Sequence, residues 1–222
     1  MTKFRGIIFD LDGTLLNSLA DIADAANAAL ARMNFPTHPV DQYKYFVGDG
    51  VKVLMERILP KEVVHDPEFV AQFLKAYSDE YAQNWDHKTR PYPGIPELLD
   101  EITRRGVKKG VFSNKPAPCT ERCVAKLLGA WTFDEVVGQK DGVFPKKPDP
   151  TGGLYIMNQW GVQPDEIVYV GDTSTDMQTA QNAGFYAVGV TWGFRPEEEL
   201  RANHAKKIVH APMEIADLFR EQ

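Results

Sequence analysis

The sequence predicts an α/β fold: a parallel sheet covered by helices on both faces, with a small helical domain inserted after the first strand. Three observations carry this expectation. The chain opens on an apolar run, Gly6-Ile7-Ile8-Phe9, that ends in Asp10-Leu11-Asp12-Gly13-Thr14. Five further strand-length segments follow, at 108–113, 135–138, 167–171, 186–191 and 207–209, and helical stretches separate most of them. Strands of near-continuous apolar character belong in a sheet buried on both faces. Residues 16–88 interrupt this alternation with helical periodicity and no convincing strand.

The elements follow in chain order. The first strand delivers two carboxylates, two residues apart, to its end, and Gly13 lets the chain turn just after them. In the insert, Ser18-Leu19-Ala20-Asp21 resembles a capping box closed by Asp rather than Glu. Leu19, Ile22, Ala26, Ala29 and Met33 then form a helical stripe. Asp66-Pro67 starts a second helix, with Phe69, Val70, Phe73, Leu74, Tyr77 and Tyr81 on its apolar side. Helices over 97–105, 120–128, 151–160 and 176–183 are each followed by a glycine, Gly106, Gly129, Gly161 and Gly184, able to supply a left-handed closing residue. The expected division is 1–15 with 89–222 as an α/β catalytic core, and 16–88 as the helical domain, with hinges near residue 16 and over 87–91.

Composition sets outer limits. The chain has 222 residues, enough for one domain with an insert, and 43% hydrophobic and 25% charged residues, as in ordinary globular proteins. A net charge of -6 argues against a nucleic-acid or anionic-membrane surface, so no nucleic acid and no membrane partner is expected. No apolar run is long enough to span a bilayer. The opening residues lack a charged segment followed by an apolar signal core, and a cytoplasmic protein is expected. Cys119 and Cys123, four apart on a helix, read as reduced thiols, since no further ligand lies near them in sequence. The sequence carries no interface signal, leaving monomer or homodimer open.

Function should sit beyond the carboxyl ends of a parallel sheet's strands. Here the first strand ends at Asp10, the second at Ser113-Asn114-Lys115, and the fourth at Gly171-Asp172, with Asp176 one turn further on. Each alone has a bland explanation as a turn or helix cap; three such ends together point to a shared site. Two carboxylates at close quarters repel and resist desolvation unless a cation or a proton intervenes. Asp10, Asp12 and Asp172 would gather oxygen ligands around a hard cation such as Mg²⁺, which prefers a few carboxylates, waters and phosphate oxygens. The chemistry this suits is phosphoryl transfer, which chiefly needs in-line positioning and neutralised oxygens. The Ser113 hydroxyl and nearby backbone N–H groups can hold those oxygens. Lys147, in Lys146-Lys147-Pro148-Asp149-Pro150, can add a fixed positive charge.

Asp10-Leu11-Asp12-Gly13-Thr14, Ser113-Asn114, Lys147-Pro148 and Gly171-Asp172 with Asp176 resemble, in order, the four motifs of the haloacid dehalogenase-like hydrolases. The match spans nearly the whole chain. The resemblance implies a Rossmann-like core with a C1-type helical cap formed by the insert. Within that superfamily, Val47-Gly48-Asp49-Gly50 with Leu54 and Arg57, Arg90-Pro91-Tyr92-Pro93-Gly94, Ser113-Asn114-Lys115-Pro116 and Val190-Thr191-Trp192-Gly193-Phe194-Arg195 resemble the phosphoglycolate phosphatases. Asn17 departs from the Asp common at that place. The resemblance implies that Asp10 attacks phosphorus, and that Asp12 serves as acid and then base while its carbonyl oxygen ligates Mg²⁺. It further implies that Ser113 and Asn114 hold the phosphoryl group and that Lys147 stabilises its charge. Asp172 would ligate the metal, with Asp176 doing so directly or through water. The substrate would be a small phosphorylated metabolite, 2-phosphoglycolate first, with Gly48 and Gly50 letting backbone approach it. Lys52, Arg57 and Lys115 are the candidates for a clamp on its carboxylate.

The alternatives are a phosphosugar mutase, a pyrophosphatase or another small-molecule phosphatase of the superfamily, and a non-catalytic module binding a phosphorylated ligand. The presence of Asp10, Lys147 and Asp172 together disfavours the last. The five histidines show no ligand spacing, and Trp85, Trp131 and Trp160 read as packing anchors, whereas Trp192 follows a strand end and can line the site entrance.

Overall fold

The computed structural model describes residues 4–220. In chain order its elements are β1 (Gly6–Phe9), β2 (Leu16–Asn17), α1 (Leu19–Arg32), α2 (Tyr43–Phe46), α3 (Val51–Ile58), α4 (Pro67–Asn84), β3 (Arg90–Pro91), α5 (Ile95–Arg104), β4 (Lys108–Pro116), α6 (Ala117–Leu127) and β5 (Glu135–Gln139). They continue with α7 (Thr151–Trp160), β6 (Ile167–Gly171), α8 (Ser174–Ala183), β7 (Tyr186–Val190), α9 (Glu197–Ala202), β8 (Lys207–Val209) and α10 (Met213–Ala216). The chain divides into two compact units, Met1–Leu16 with Pro91–Gln222, and Asn17–Arg90. The two-residue strands β2 and β3 pair where the chain passes from one unit to the other.

In the first unit six strands form one parallel sheet in the order β5-β4-β1-β6-β7-β8. The order places β1 inside, with Phe9 opposite Val111 on one neighbour and Val170 on the other. Ile7, Ile8 and Phe9 are fully buried, each contributing about 1.5–3 kcal/mol relative to exposure. One face of the sheet meets a core built from Ile8, Phe112, Ile156, Trp160, Tyr169, Met177 and Phe185. Helix α5 shows how the pattern works locally. Ile95, Leu98, Leu99 and Ile102 recur at helical spacing, and all four are buried. Because every strand runs the same way, β1, β4 and β6 present their carboxyl ends at one edge, and the sheet reverses its direction of winding beside β1.

Several local expectations meet corrections. Gly106, Gly161 and Gly184 close their helices with positive φ, but Gly129 does not. At Gly129 the missing side chain instead leaves room for the Ala125 carbonyl, which a Cβ would strike. Strand β4 runs on to Pro116, three residues past its expected end, and α6 starts correspondingly early at Ala117.

In the second unit, α1 and α4 carry the expected stripes, with Leu19, Ile22, Ala26 and Ala29 buried on one and Phe73, Tyr77 and Tyr81 on the other. Asp66 caps α4, its carboxylate accepting the N–H of Glu68 and Phe69 at 3.0 and 3.2 Å. The box expected at Ser18 does not form, since the Ser18 side chain makes no capping bond. The Asp21 carboxylate instead accepts the backbone N–H of Lys88 and Thr89 and the Thr89 hydroxyl. The residue preceding α3 is Gly50, at φ 85°. Asp49 pairs with Arg57 Nη2 at 2.6 Å, and Arg57 also donates to the Phe46 carbonyl, which ties the Gly48–Gly50 loop to α3.

Candidate active site

The site is built from strand ends. Asp10 follows β1, and its N–H donates to the Val170 carbonyl at 2.9 Å, so the ladder to β6 fixes its backbone. The next residues turn tightly: the Leu15 and Leu16 N–H groups both donate to the Leu11 carbonyl, and Gly13 takes φ 89°, a conformation that disfavours a side chain. Asp172 follows β6. Thr173 then caps α8, and Asp176 returns the cap by accepting the Thr173 N–H at 3.0 Å and its hydroxyl at 2.7 Å. Asp176 is thereby fixed by a local motif, one turn after Asp172.

Lys147 joins these ends. Its ammonium lies 2.8 Å from Asp10 Oδ1 and 2.6 Å from Asp176 Oδ1, with the rings of Phe112 and Tyr169 each 5.9 Å away. Asn114, at the end of β4, grips the lysine's backbone: Oδ1 accepts the Lys147 N–H at 2.7 Å and Nδ2 donates to its carbonyl at 3.4 Å. Lys147 burial pulls its pKa down, but the Asp10 and Asp176 carboxylates outweigh it and hold the ammonium well above the usual lysine range.

One carboxylate oxygen from each of Asp10, Asp172 and Asp176 lies within 4.8 Å of the others, all three side chains being buried. Burial raises Asp10 from 3.8 to about 7, Lys147 opposing the shift and Asp176 adding to it. Burial likewise pushes Asp172 well above the carboxylate range, reinforced by Asp176 and Asp10. The ammonium thus pairs with two of three neighbouring buried carboxylates, Asp10 and Asp176 but not Asp172, an imbalance that a divalent cation would correct. The donor set, all oxygen and mostly carboxylate, fits Mg²⁺ or a similar hard ion. Asp10 keeps Oδ2 without a donor among the described residues, since its one partner, Lys147, sits on Oδ1.

The remaining predicted residues occupy a second set of contacts. The Asp12 carboxylate stands outside the trio and pairs with Lys115 Nζ at 2.7 Å, both largely buried. Ser113, also buried, accepts the Lys115 N–H at 3.3 Å. Gly48 and Gly50 belong to the helical unit, both with positive φ.

A family model of haloacid dehalogenase-like hydrolases matches residues 7–190. The chain belongs to the haloacid dehalogenase-like hydrolases. Phosphoglycolate phosphatase 1 of Pseudomonas aeruginosa is 31% identical to it, over 98% of this chain and 78% of that protein. Phosphoglycolate phosphatase of Mannheimia succiniciproducens is 33% identical over 99% of this chain and 98% of its own length. Among solved structures, a protein of Lactobacillus delbrueckii subsp. bulgaricus described provisionally as a phosphoglycolate phosphatase superposes with a TM-score of 0.91 at 30% identity, each chain covered completely. The fold of this hydrolase is therefore the superfamily's Rossmann-like sheet with an inserted helical cap, and its class is phosphoric monoester hydrolase.

Within the hydrolase, sequence reasoning missed the groups that hold the acidic trio in place. Asp172 accepts the Thr14 hydroxyl on Oδ1 at 3.0 Å and the Phe194 N–H on Oδ2 at 2.7 Å. Tyr169 donates to the Phe112 carbonyl at 3.3 Å and lies beside Lys147. Thr14 stands in the first motif, so its place was visible but its partner was not. Tyr169 reads in the sequence as one more apolar strand residue.

Proposed function

We propose that this hydrolase is a Mg²⁺-dependent phosphatase of small phosphorylated metabolites, converting 2-phosphoglycolate to glycolate and phosphate through an aspartyl-phosphate on Asp10. The observation that carries the reading is the environment of Asp10: a buried carboxylate with Oδ1 held by an ammonium and Oδ2 without a donor among the described residues, beside two further buried carboxylates.

Asp10, Asp172 and Asp176 would supply carboxylate oxygens for the cation, and Asp12 its backbone carbonyl. Bound there, Mg²⁺ would neutralise the carboxylates and the phosphate and hold Asp10 ionised. Lys147 orients Asp10 by gripping Oδ1 and leaves Oδ2 to attack phosphorus. As that bond forms, the phosphorus–alkoxide bond breaks, and the Asp12 carboxyl gives its proton to the departing oxygen. Asp12, now a carboxylate, takes a proton from water as the water oxygen attacks the phosphorus, which releases phosphate and restores Asp10. Ser113 holds phosphoryl oxygens, while Asn114 acts on the reaction by fixing the Lys147 backbone. Lys115, paired with Asp12, serves best as that residue's holder, which leaves the insert to supply the clamp for the substrate carboxylate.

The choice of 2-phosphoglycolate is supported by the relatives that carry that activity in their names and span nearly all of this chain. The test is a steady-state screen with Mg²⁺ over small phosphorylated carboxylates, sugar phosphates and pyrophosphate. The expected result is the highest kcat/KM on 2-phosphoglycolate; a sugar phosphate or pyrophosphate preferred by tenfold or so would overturn the substrate assignment.

A further inference from the structure

The loop after β7 gives no side chain to the reactive set, yet it surrounds Asp172. The backbone N–H of Phe194 donates to Oδ2 at 2.7 Å. Gly193 lies so close that a Cβ there would collide with the Asp172 side chain, and the same holds for Gly13. Asp172 therefore occupies a slot that two glycines leave open, with no exposed surface. Its other oxygen accepts the Thr14 hydroxyl at 3.0 Å. The Trp192 indole Nε1 donates to the Thr14 carbonyl at 3.0 Å. The contacts close into a ring: Trp192 holds Thr14, Thr14 holds Asp172, Asp172 holds Phe194, and Phe194 is two residues along the chain from Trp192. Glu199, on α9, accepts the Ser174 N–H at 3.1 Å and so ties the same segment to the start of α8.

From this ring we infer that Trp192 is a positioning residue for Asp172, setting the carboxylate's orientation toward the bound cation through Thr14 and the Trp192–Phe194 backbone. The inference rests on the reading of Asp172 as a cation ligand. The physical need is plain. Asp172 is desolvated beside Asp10 and Asp176, and among the described residues its charge is met by one hydroxyl and one amide, both neutral. Such a carboxylate gains by turning away from its neighbours unless its donors are themselves immobile. Thr14 sits in the turn after Gly13, and the indole N–H is what fixes that turn to the β7 side of the sheet. A tryptophan does this well because its large ring packs while its one donor points in a single direction. A purely structural anchor would make the same bond, so stability and cation affinity have to be measured separately.

The experiment uses the full chain and Mn²⁺ alone, with free Mn²⁺ counted by electron paramagnetic resonance and melting followed in chelator. Trp192→Phe, which keeps a ring and removes the donor, is expected to weaken Mn²⁺ binding about tenfold. Its metal-free melting temperature should stay within about 2 °C of the parent. Thr14→Val should weaken binding similarly, and Thr14→Ser, which restores the hydroxyl, should return it. The double variant Trp192→Phe/Thr14→Val should bind no more weakly than the worse single one, because both break the same ring. Parental Mn²⁺ affinity in folded Trp192→Phe, or a fall in metal-free melting with affinity unchanged, overturns the inference. Asp172→Asn separates the two layers: if it binds Mn²⁺ like the parent, the cation reading itself fails and takes this one with it. Loss of binding in Asp172→Asn with parental affinity in Trp192→Phe removes Trp192 alone.

Discussion

Asp21 in the helical insert and Asp10 in the α/β unit are both buried aspartates, and they differ in what meets their charge. Asp21 accepts three donors, the N–H groups of Lys88 and Thr89 and the Thr89 hydroxyl, at 2.7 to 3.0 Å. It joins the start of the insert to its end, and its carboxylate is fully used in doing so. Among the described residues the Asp10 carboxylate has one partner, an ammonium shared with Asp176, and it stands beside two more buried carboxylates. The first arrangement is a closed account of polar groups, which is how a stable interior treats a charge. The second leaves charge uncompensated, which folding alone does not favour and which a cation and a phosphate would use.

The comparison is broken most severely by Asp10→Asn. Turnover of any phosphoester should fall by more than about 10⁴-fold, because no other side chain replaces the nucleophile; measurable single-turnover hydrolysis near the parental rate refutes the assignment. Asp21→Ala should do the reverse kind of damage. Three donors lose their acceptor, and the loss of roughly 3 kcal/mol should lower the melting temperature by about 5–10 °C in calorimetry.

Burial raises Asp10 from 3.8 to about 7. A carboxyl group whose folded pKa is raised contributes stability that is complete below its unfolded pKa and is lost as pH climbs through the folded value. Metal-free protein should therefore lose stability relative to metal-free Asp10→Asn by about 4 kcal/mol between roughly pH 4 and pH 8. Saturating Mg²⁺ should abolish that difference in slope; thermal melts of both proteins at each pH, in chelator and in Mg²⁺, measure it. The smallest effect is expected at Lys115→Met. Asp12 keeps its place in the chain but loses the ammonium that steadies it, so kcat should fall about tenfold with KM within about twofold. A change confined to KM would return Lys115 to the role of substrate clamp.

The sheet and the acidic strand ends were legible because both follow from patterns local in sequence. Apolar runs mark strands, and a carboxylate placed just after one must stand at the sheet's edge. The contacts that tune the site were not legible, for the opposite reason. Lys115 with Asp12, Asn114 with the backbone of Lys147, and Trp192 with Thr14 each join residues far apart in the chain, and no spacing announces them. Competition defeated local reasoning at Ser18: the capping box required an idle Asp21, and the chain at residues 88 and 89 offered it better donors.

The strand order has a kinetic consequence. Gly6 finds its two neighbours at Lys108 and Ile167, one beyond the entire insert and the other beyond two further strands. A pairing of such long range forms only after a large loop has been closed, and sheets dominated by such pairings fold slowly. Strand β1, although synthesised before both of its neighbours, has no sheet to enter until β4 and β6 have emerged. During that wait the run Ile7-Ile8-Phe9 is an exposed apolar segment followed at once by two carboxylates, and charges at that position discourage it from joining another chain. The residues proposed to carry the chemistry would thus also protect the strand before there is any chemistry to perform.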